Sequence, residues 1–214
     1  MSRFALLCAI TGFAVLLGYC LARFSPGPQH ADSAFVALER PLPLPPFSLR
    51  GARGAITAAD LRGGWWWVAF GYTNCPDICP TTLAGLAAAN RALIAARAVA
   101  PRVLFVSVDP ARDSPALLQQ YVSNFDDGFV GASGSRAELE QFAAALGASI
   151  SVPDTESTGN YAAGHSSTVA LLDPDVRLYA RVQQPFDARL VAHAFALAHD
   201  RAPLDDQPTT LQAQ

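Results

Sequence analysis

Two cysteines with potential for chemistry lie close together in the stretch GYTNCPDICPTT, residues 71–82. They are Cys75 and Cys79, and a proline follows each of them. Because proline disfavours helical backbone at the residue before it, we expect both cysteines to be extended, with Cys79 capping a helix that Pro80 begins. At such a position the helix dipole and unpaired N–H groups stabilise a thiolate. The stretch therefore predicts a low-pKa thiol pair, suited to disulfide exchange or metal binding.

A structural disulfide that staples this turn is the alternative use of the pair. A bridge that closes so short a loop restricts the unfolded chain little and therefore stabilises the fold little. We accordingly favour exchange chemistry or metal ligation over a purely structural bridge.

A metal bound by two thiolates needs at least one further ligand, and the chain has four histidines. His30 lies near the N-terminus, and His193 and His199 lie in a predicted terminal helix whose histidines we expect to face solvent. His165 stands in NYAAGHSSTVALLD, at the end of a flexible loop and just before an apolar strand. A lone loop histidine is usually a surface residue, but the presence of the thiol pair makes His165 a candidate ligand.

The ligand types indicate which metal this site would prefer. Two soft thiolates and one imidazole favour copper(I), with zinc as the rival. Zinc generally takes four ligands, whereas three suit copper(I). Copper(II) would require a fourth ligand, from Asp77 or from water. The predicted ligands are therefore Cys75, Cys79 and His165, with Asp77 as a neighbour of the metal shell.

Strands and helices alternate through the middle of the chain. The segments 65–72 and 103–109, WWWVAFGY and VLFVSVD, predict buried strands, and residues 81–99 between them have helical apolar spacing. Further helices are predicted after Ser114, after Ser135 and from Asp187. The helix after Ser135 has Glu138 in a capping box and Gly147 at its end. Short strands are predicted at FVGA and ASISV, and a hairpin at STVALLD and RLYARV. This pattern predicts an α/β three-layer fold with a central mixed sheet. A thiol pair between the first long strand and the next helix is the thioredoxin-like arrangement.

The ends of the chain differ from its middle. Residues 4–22 carry no charge and match the ~20 residues that span a bilayer, so we expect one uncleaved transmembrane helix. Residues 1–3 should then be cytoplasmic, and the folded domain exported. One alternative is a cleaved signal peptide, for which Cys20-Leu21-Ala22 is only a passable site. The other is a lipoprotein, which would want a small residue before Cys20, where this chain has the bulky Tyr19. We expect a proline-rich linker at 23–46, a folded domain at 47–200 and a flexible tail at 201–214. The formal net charge of −3 gives no basic surface for nucleic acid.

Three motifs in order, GYTNCPDICPTT, LFVSVDPARDSPALLQQYVSNF and GHSSTVALLDP, resemble the SCO/SenC family of copper proteins over roughly residues 45–199. The resemblance implies a thioredoxin-like fold, a single membrane anchor, and copper bound by Cys75, Cys79 and His165. It also implies delivery of copper to the dinuclear centre in subunit II of cytochrome c oxidase. The corresponding location is the bacterial inner membrane, with the C-terminal domain in the periplasm.

Other residues in these motifs also match the family, with one departure. Asp77 matches the acidic residue between the family's cysteines. Asp109, Arg112 and Asp113 match its second block, which we interpret as structural, with charged residues capping a strand end and a helix start. Gly164 stands where family members often carry Asp before the ligand histidine. A carboxylate there could orient the imidazole, so the departure bears on copper affinity or on the partner.

Two classes of function fit these residues. The first is a metallochaperone, which is not an enzyme and passes copper on by ligand exchange. The second is a dedicated thiol–disulfide oxidoreductase that keeps the oxidase copper-site cysteines reduced. The CxxxC spacing and the lack of a proline between Pro153 and Pro174 disfavour a general oxidoreductase. A peroxidase is disfavoured because the proline and threonine that precede a peroxidatic cysteine in peroxiredoxin-type sites are lacking.

Overall fold

The computed structural model describes residues 35–151 and 164–201, which form ten β-strands and five α-helices. The strands are β1 (Phe35–Pro43), β2 (Ser48–Gly51), β3 (Gly54–Thr57), β4 (Trp66–Gly71), β5 (Arg102–Ser107), β6 (Val130–Ser133), β7 (Ile150–Ser151), β8 (Gly164–His165), β9 (Thr168–Leu172) and β10 (Arg177–Gln183). The helices are α1 (Ala58–Leu61), α2 (Ile78–Ala95), α3 (Pro115–Ser123), α4 (Arg136–Leu146) and α5 (Ala188–Arg201). The predicted anchor at 4–22 and the tail beyond residue 201 lie outside the described residues.

Eight of the described strands form one mixed sheet in the order β1-β10-β9-β4-β5-β6-β2-β3. Strands β4, β5 and β6 run parallel at its centre, and β9 pairs antiparallel with β4. All six residues of β4 are buried, as expected for a central strand covered on both faces. Strands β7 and β8 pair with each other in a separate two-stranded ribbon.

Helices cover both faces of the sheet. On β4, the ring of Trp67 contacts Phe195 of α5, whereas the ring of Phe70 contacts Phe142 of α4. Positions 67 and 70 of a strand point to opposite faces, so α5 and α4 lie on opposite sides of the sheet. The predicted α/β arrangement of a central mixed sheet between helices is therefore confirmed.

Several predicted helix ends are confirmed in detail. Helix α3 begins at Pro115, and the hydroxyl of Ser114 caps it by accepting a backbone N–H. Helix α4 begins with the predicted capping box of Ser135 and Glu138. It ends at Gly147, whose φ of 68° is left-handed and therefore favours glycine. These ends were predictable because each depends on residues that are neighbours in sequence.

The structure differs from the predicted linker at 23–46, because residues 35–43 form strand β1 of the main sheet. Among the described strands, β1 lies at the sheet edge and pairs with β10 alone, with a register shift between Ala37 and Leu42. Pro41 and Pro43 lack an N–H, which an edge strand tolerates because one of its sides needs no partner. Proline-rich composition therefore did not exclude a strand here.

Helix α2 is the described helix that is long and apolar enough to span a membrane. Its apolarity has another explanation, since 44% of its most apolar window is buried within the protein. Leu83, Leu86 and Leu93 are buried on the side of α2 that packs against the sheet and α5. It is therefore a core helix of this domain.

Candidate metal centre

The turn that follows β4 brings the two cysteines together. Strand β4 ends at Gly71, and the backbone N–H of Cys75 donates to the carbonyl of Tyr72 at 3.2 Å. Helix α2 begins at Ile78, so Cys79 lies in its first turn. Both cysteines carry free thiols, and both are buried, with 9% of Cys75 and 1% of Cys79 exposed. The pair is thus reached from solvent more easily through Cys75.

The prediction that Cys79 is an extended cap of α2 is wrong. The helix begins two residues before Pro80, and Asp77 occupies the cap position. Proline is tolerated there because an N–H in the first helical turn has no partner within the helix. The predicted low pKa is also wrong for Cys79, because burial, and next a hydrogen bond with Cys75, raise the pKa of its thiol.

The ribbon of β7 and β8 carries the candidate histidine to the thiols. Ile150 of β7 pairs with His165 of β8. The Nε2 atom of His165 lies 3.3 Å from the Sγ atom of Cys79. Together with Cys75, one ligand atom from each residue lies within 4.8 Å of the others. A single ion could contact all three atoms.

Hydrogen bonding and burial prepare His165 to act as a ligand. Its Nδ1 atom lies 3.1 Å from the carbonyl oxygen of Ser166. Because a carbonyl only accepts, Nδ1 carries the proton and Nε2 presents its lone pair to the thiols. Burial lowers the pKa of the imidazole, which favours its neutral form. The ring also makes an edge contact with Tyr72, at 6.2 Å between centroids. Metal-binding histidines are commonly oriented by a hydrogen bond from the ring nitrogen that does not bind the metal, which here is the bond from Nδ1 to Ser166.

A buried carboxylate accepts hydrogen bonds from the turn that carries Cys75. Asp113, 2% exposed, accepts the backbone N–H of Thr73 at 2.9 Å and also its hydroxyl. The hydroxyl of Ser107 donates to the same carboxylate at 2.6 Å. Sequence reasoning treated Asp113 only as a capping residue and did not predict its contact with Thr73. Forty residues separate the two, so local spacing gave no signal of this contact.

The neighbouring Asp109 and Arg112 form an ion pair beside this network. The guanidinium of Arg112 also lies 5.8 Å from the centroid of the Tyr72 ring, the ring that contacts His165. Residues of the second motif therefore contact the surroundings of the candidate ligands at two places, Arg112 at Tyr72 and Asp113 at Thr73.

Gly71 provides the space that the sulfur of Cys79 occupies. A Cβ atom at this position would lie 2.8 Å from that sulfur and 2.6 Å from a ring atom of Phe105. Both distances are shorter than van der Waals contact, so a side chain here would displace the thiol. Sequence reasoning gave this glycine no role.

The remaining predicted residues lie outside the group of three. Asp77 is exposed, and its side chain makes no capping hydrogen bond to α2. His193 and His199 lie on α5, and His30 is outside the described residues. At Gly164, an added Cβ would lie 3.2 Å from the Cβ of Ser151 in β7. The role of Asp77 beside a metal stays a prediction.

Comparison with known sequences gives a consistent set of relatives. A family model described as SCO1/SenC matches residues 38–198. The chain is 38% identical over 130 residues to a protein of Stutzerimonas stutzeri named for copper binding, covering 61% of this chain and 63% of that one. It is 32% identical over 146 residues to mitochondrial SCO1 of Saccharomyces cerevisiae, covering 67% of this chain and 50% of that one. The chain thus spans only part of these relatives' length.

Several solved structures with the same fold have copper bound. Yeast Sco1 with copper matches with a TM-score of 0.70 and 27% identity, over 81% of this chain and 97% of that one. ScoI of Bradyrhizobium japonicum with copper matches with a TM-score of 0.60 and 32% identity, over 71% of this chain and 96% of that one. Since the family model also covers most of the described residues, the chain belongs to the SCO1/SenC family.

Proposed function

We propose that this protein is a metallochaperone that binds one copper ion through Cys75, Cys79 and His165. It delivers the ion to the dinuclear copper centre in subunit II of cytochrome c oxidase during assembly. The observation that carries this proposal is the convergence of two sulfurs and one imidazole nitrogen within 4.8 Å. The copper-bound structures of two relatives support copper as the cargo. The destination is the one that the resemblance of the three motifs to the SCO/SenC family implies.

The arrangement of these ligands suits release as well as binding. Thiolate and imidazole ligands match the softness of copper(I), and three ligands leave one side of the ion open to an incoming thiolate. Cys75 is more exposed than Cys79, which lies against the core at the start of α2. Transfer would therefore proceed by exchange of Cys75 first and of the deeper Cys79 last.

Residues 4–22 tether this domain to the bacterial inner membrane, with the copper site on the periplasmic side. The support for this part of the proposal is the uncharged length of the segment, which matches a bilayer. A tether would keep the chaperone near an acceptor that is itself a membrane protein.

The alternative, a dedicated thiol–disulfide oxidoreductase, has less support from the site. Exchange needs an accessible thiolate, because the thiolate is the attacking species. Cys79 is 1% exposed, and burial raises the pKa of its thiol, so it is a poor nucleophile. An oxidoreductase would have to act through Cys75 alone in its first step.

An anaerobic copper(I) titration of the purified full chain, with reduced thiols and a competing chelator, tests the proposal. We expect one copper per chain, with affinity lowered in Cys75→Ser, Cys79→Ser and His165→Ala. The matched control is His193→Ala, an exposed histidine on α5, which should leave the affinity unchanged. If His165→Ala binds copper as well as the unaltered chain while each cysteine variant loses thiol exchange, the oxidoreductase is the better account. Transfer to a purified copper-free subunit II domain then tests the acceptor.

A further inference from the structure

A cavity of about 250 Å³ lies at the end of the sheet opposite to the cysteine turn. The parallel strands β4 and β5 begin beside it, with the paired residues Trp66 and Arg102 in its wall. The cysteine turn follows Gly71, at the other end of β4. Six strand residues at about 3.3 Å each put the two places roughly 15–20 Å apart. The cavity is therefore separate from the copper site.

Two arginines line this cavity without an acidic partner. Neither Arg53 nor Arg102 forms an ion pair with any carboxylate in the part of the chain that the structure describes. Partial burial, and next the nearby charge of Arg53, lower the pKa of Arg102. The carboxylate of Asp60 also lines the cavity, but it forms no ion pair with either arginine. One of its oxygens already accepts the N–H and the hydroxyl of Thr57.

One wall of the cavity is held in a fixed position. The guanidinium of Arg102 lies 4.1 Å from the centroid of the Trp66 ring. The indole is 2% exposed, and its N–H donates to the carbonyl of Leu61 at 2.9 Å. Stacking occupies one face of the guanidinium and leaves the N–H donors at its edge available. Ile56 and Val130 add apolar surface to the lining.

We propose that this cavity binds a small organic monocarboxylate with an apolar body. Two arginines and one aspartate leave one net positive charge on the lining, which a single carboxylate balances. The planar edge of a guanidinium matches a carboxylate in two parallel hydrogen bonds. The apolar side chains Ile56, Leu61 and Val130 can contact the rest of such a ligand. The proposal goes beyond copper transfer, because no candidate copper ligand lines the cavity.

The test is a nuclear magnetic resonance titration of the ¹⁵N-labelled full chain with benzoate and hexanoate, followed at the tryptophan indole N–H signals. We expect a saturable shift at Trp66, with a dissociation constant below about 10 mM, the order expected for ligands of this size. Trp67, fully buried against α5, should not shift. Arg102→Gln and Arg53→Gln should each weaken binding about tenfold or more, the loss expected when a charge-assisted contact is removed.

Arg62→Gln is the matched control, because Arg62 is exposed in the neighbouring sequence but does not line the cavity. The proposal is overturned if neither carboxylate gives a saturable shift, or if Arg62→Gln weakens binding as much as Arg102→Gln. Tighter binding of inorganic phosphate than of either carboxylate overturns the ligand class. Arg102→Gln should still bind one copper ion, so failure of this proposal is distinguishable from failure of the copper proposal.

Discussion

The Nε2 atom of His165 lies 3.3 Å from the sulfur of Cys79, although 86 residues separate them in sequence. Sheet topology produces this approach. Strand β9, which follows the histidine, pairs antiparallel with β4, which leads into the cysteine turn. Val169 is opposite Ala69, so the chain enters β9 at the same end of the sheet at which it leaves β4. The imidazole and the thiols are therefore brought together by pairing of the two strands that carry them.

The first prediction concerns the protonation of His165. Because burial lowers its pKa, we expect its titration midpoint below the ordinary value of 6.5, and a proton on Nδ1 at pH 7. The proton that titrates is the second one, which adds at Nε2. The unfolded chain binds it more tightly than the folded chain does, so this group should lower stability as the pH falls below 6.5. Long-range ¹H–¹⁵N spectra of the imidazoles measure both the midpoint and the tautomer.

A midpoint for His165 above the ordinary value of 6.5 would contradict the burial of this ring, and a proton found on Nε2 at pH 7 would contradict its orientation.

The second prediction concerns the space beside Cys79. Replacing Gly71 with alanine places a Cβ 2.8 Å from the sulfur and 2.6 Å from the Phe105 ring, so the core must shift. We expect the free energy of unfolding to fall by about 1–3 kcal/mol, as is usual for overpacking, and copper(I) affinity to fall with it. Denaturant unfolding and a chelator competition measure the two effects.

Gly64→Ala is the matched control for this substitution. Its added Cβ would be 3.7 Å from the nearest neighbouring atom, an ordinary contact, so stability should change by no more than about 0.5 kcal/mol. If Gly71→Ala is as mild as Gly64→Ala, the sulfur does not occupy the space assigned to it.

The third prediction concerns the different reactivity of the two thiols. Cys79 is 1% exposed, and burial raises the pKa of its thiol, whereas Cys75 is 9% exposed. Because alkylation requires thiolate, iodoacetamide at pH 8 should modify Cys79 at least about tenfold more slowly than Cys75. Mass spectrometry of the separated peptides measures each rate, and denaturant should remove the difference. Faster modification of Cys79 in the folded chain would restore the oxidoreductase as a serious candidate.

The features predicted from sequence were those that local residues determine. Ser114 before Pro115 gave the start of α3, and Gly147 gave the end of α4. The convergence of Cys75, Cys79 and His165 was also predictable, because thiols and imidazoles are scarce in this chain and only a few combinations could meet. That they bind a metal stays a prediction.

The features that sequence reasoning missed depend on distant partners or on competing local preferences. The bias against helix before Pro80 gave way, and α2 begins at Ile78. Strand β1 forms despite its prolines because β10 offers an edge. The link from Asp113 to Thr73 depends on β5 lying beside β4, which the spacing of the motifs does not reveal.

The last prediction tests whether Asp113 positions the cysteine turn. Asp113→Ala leaves the N–H of Thr73 and the hydroxyl of Ser107 without their acceptor. Each buried group left unpaired lowers the free energy of unfolding by about 1–3 kcal/mol. For Asp113→Ala we expect lower stability and weaker copper(I) binding. Asp113→Asn should lie between the unaltered chain and Asp113→Ala in both measurements, because its amide oxygen can still accept one of these bonds. Asp127→Ala, an exposed carboxylate distant in sequence from the turn, is the control.

A purely structural role for Asp113 would give a different result. Under native conditions well below the unfolding transition, the folded Asp113→Asn variant would then bind copper(I) with the affinity of the unaltered chain. A positioning role instead lowers the affinity of the folded variant, because the turn that carries Cys75 loses a contact that fixes its distance from Cys79 and His165. Chelator competition on the folded variant, with circular dichroism as the check on folding, separates these two outcomes.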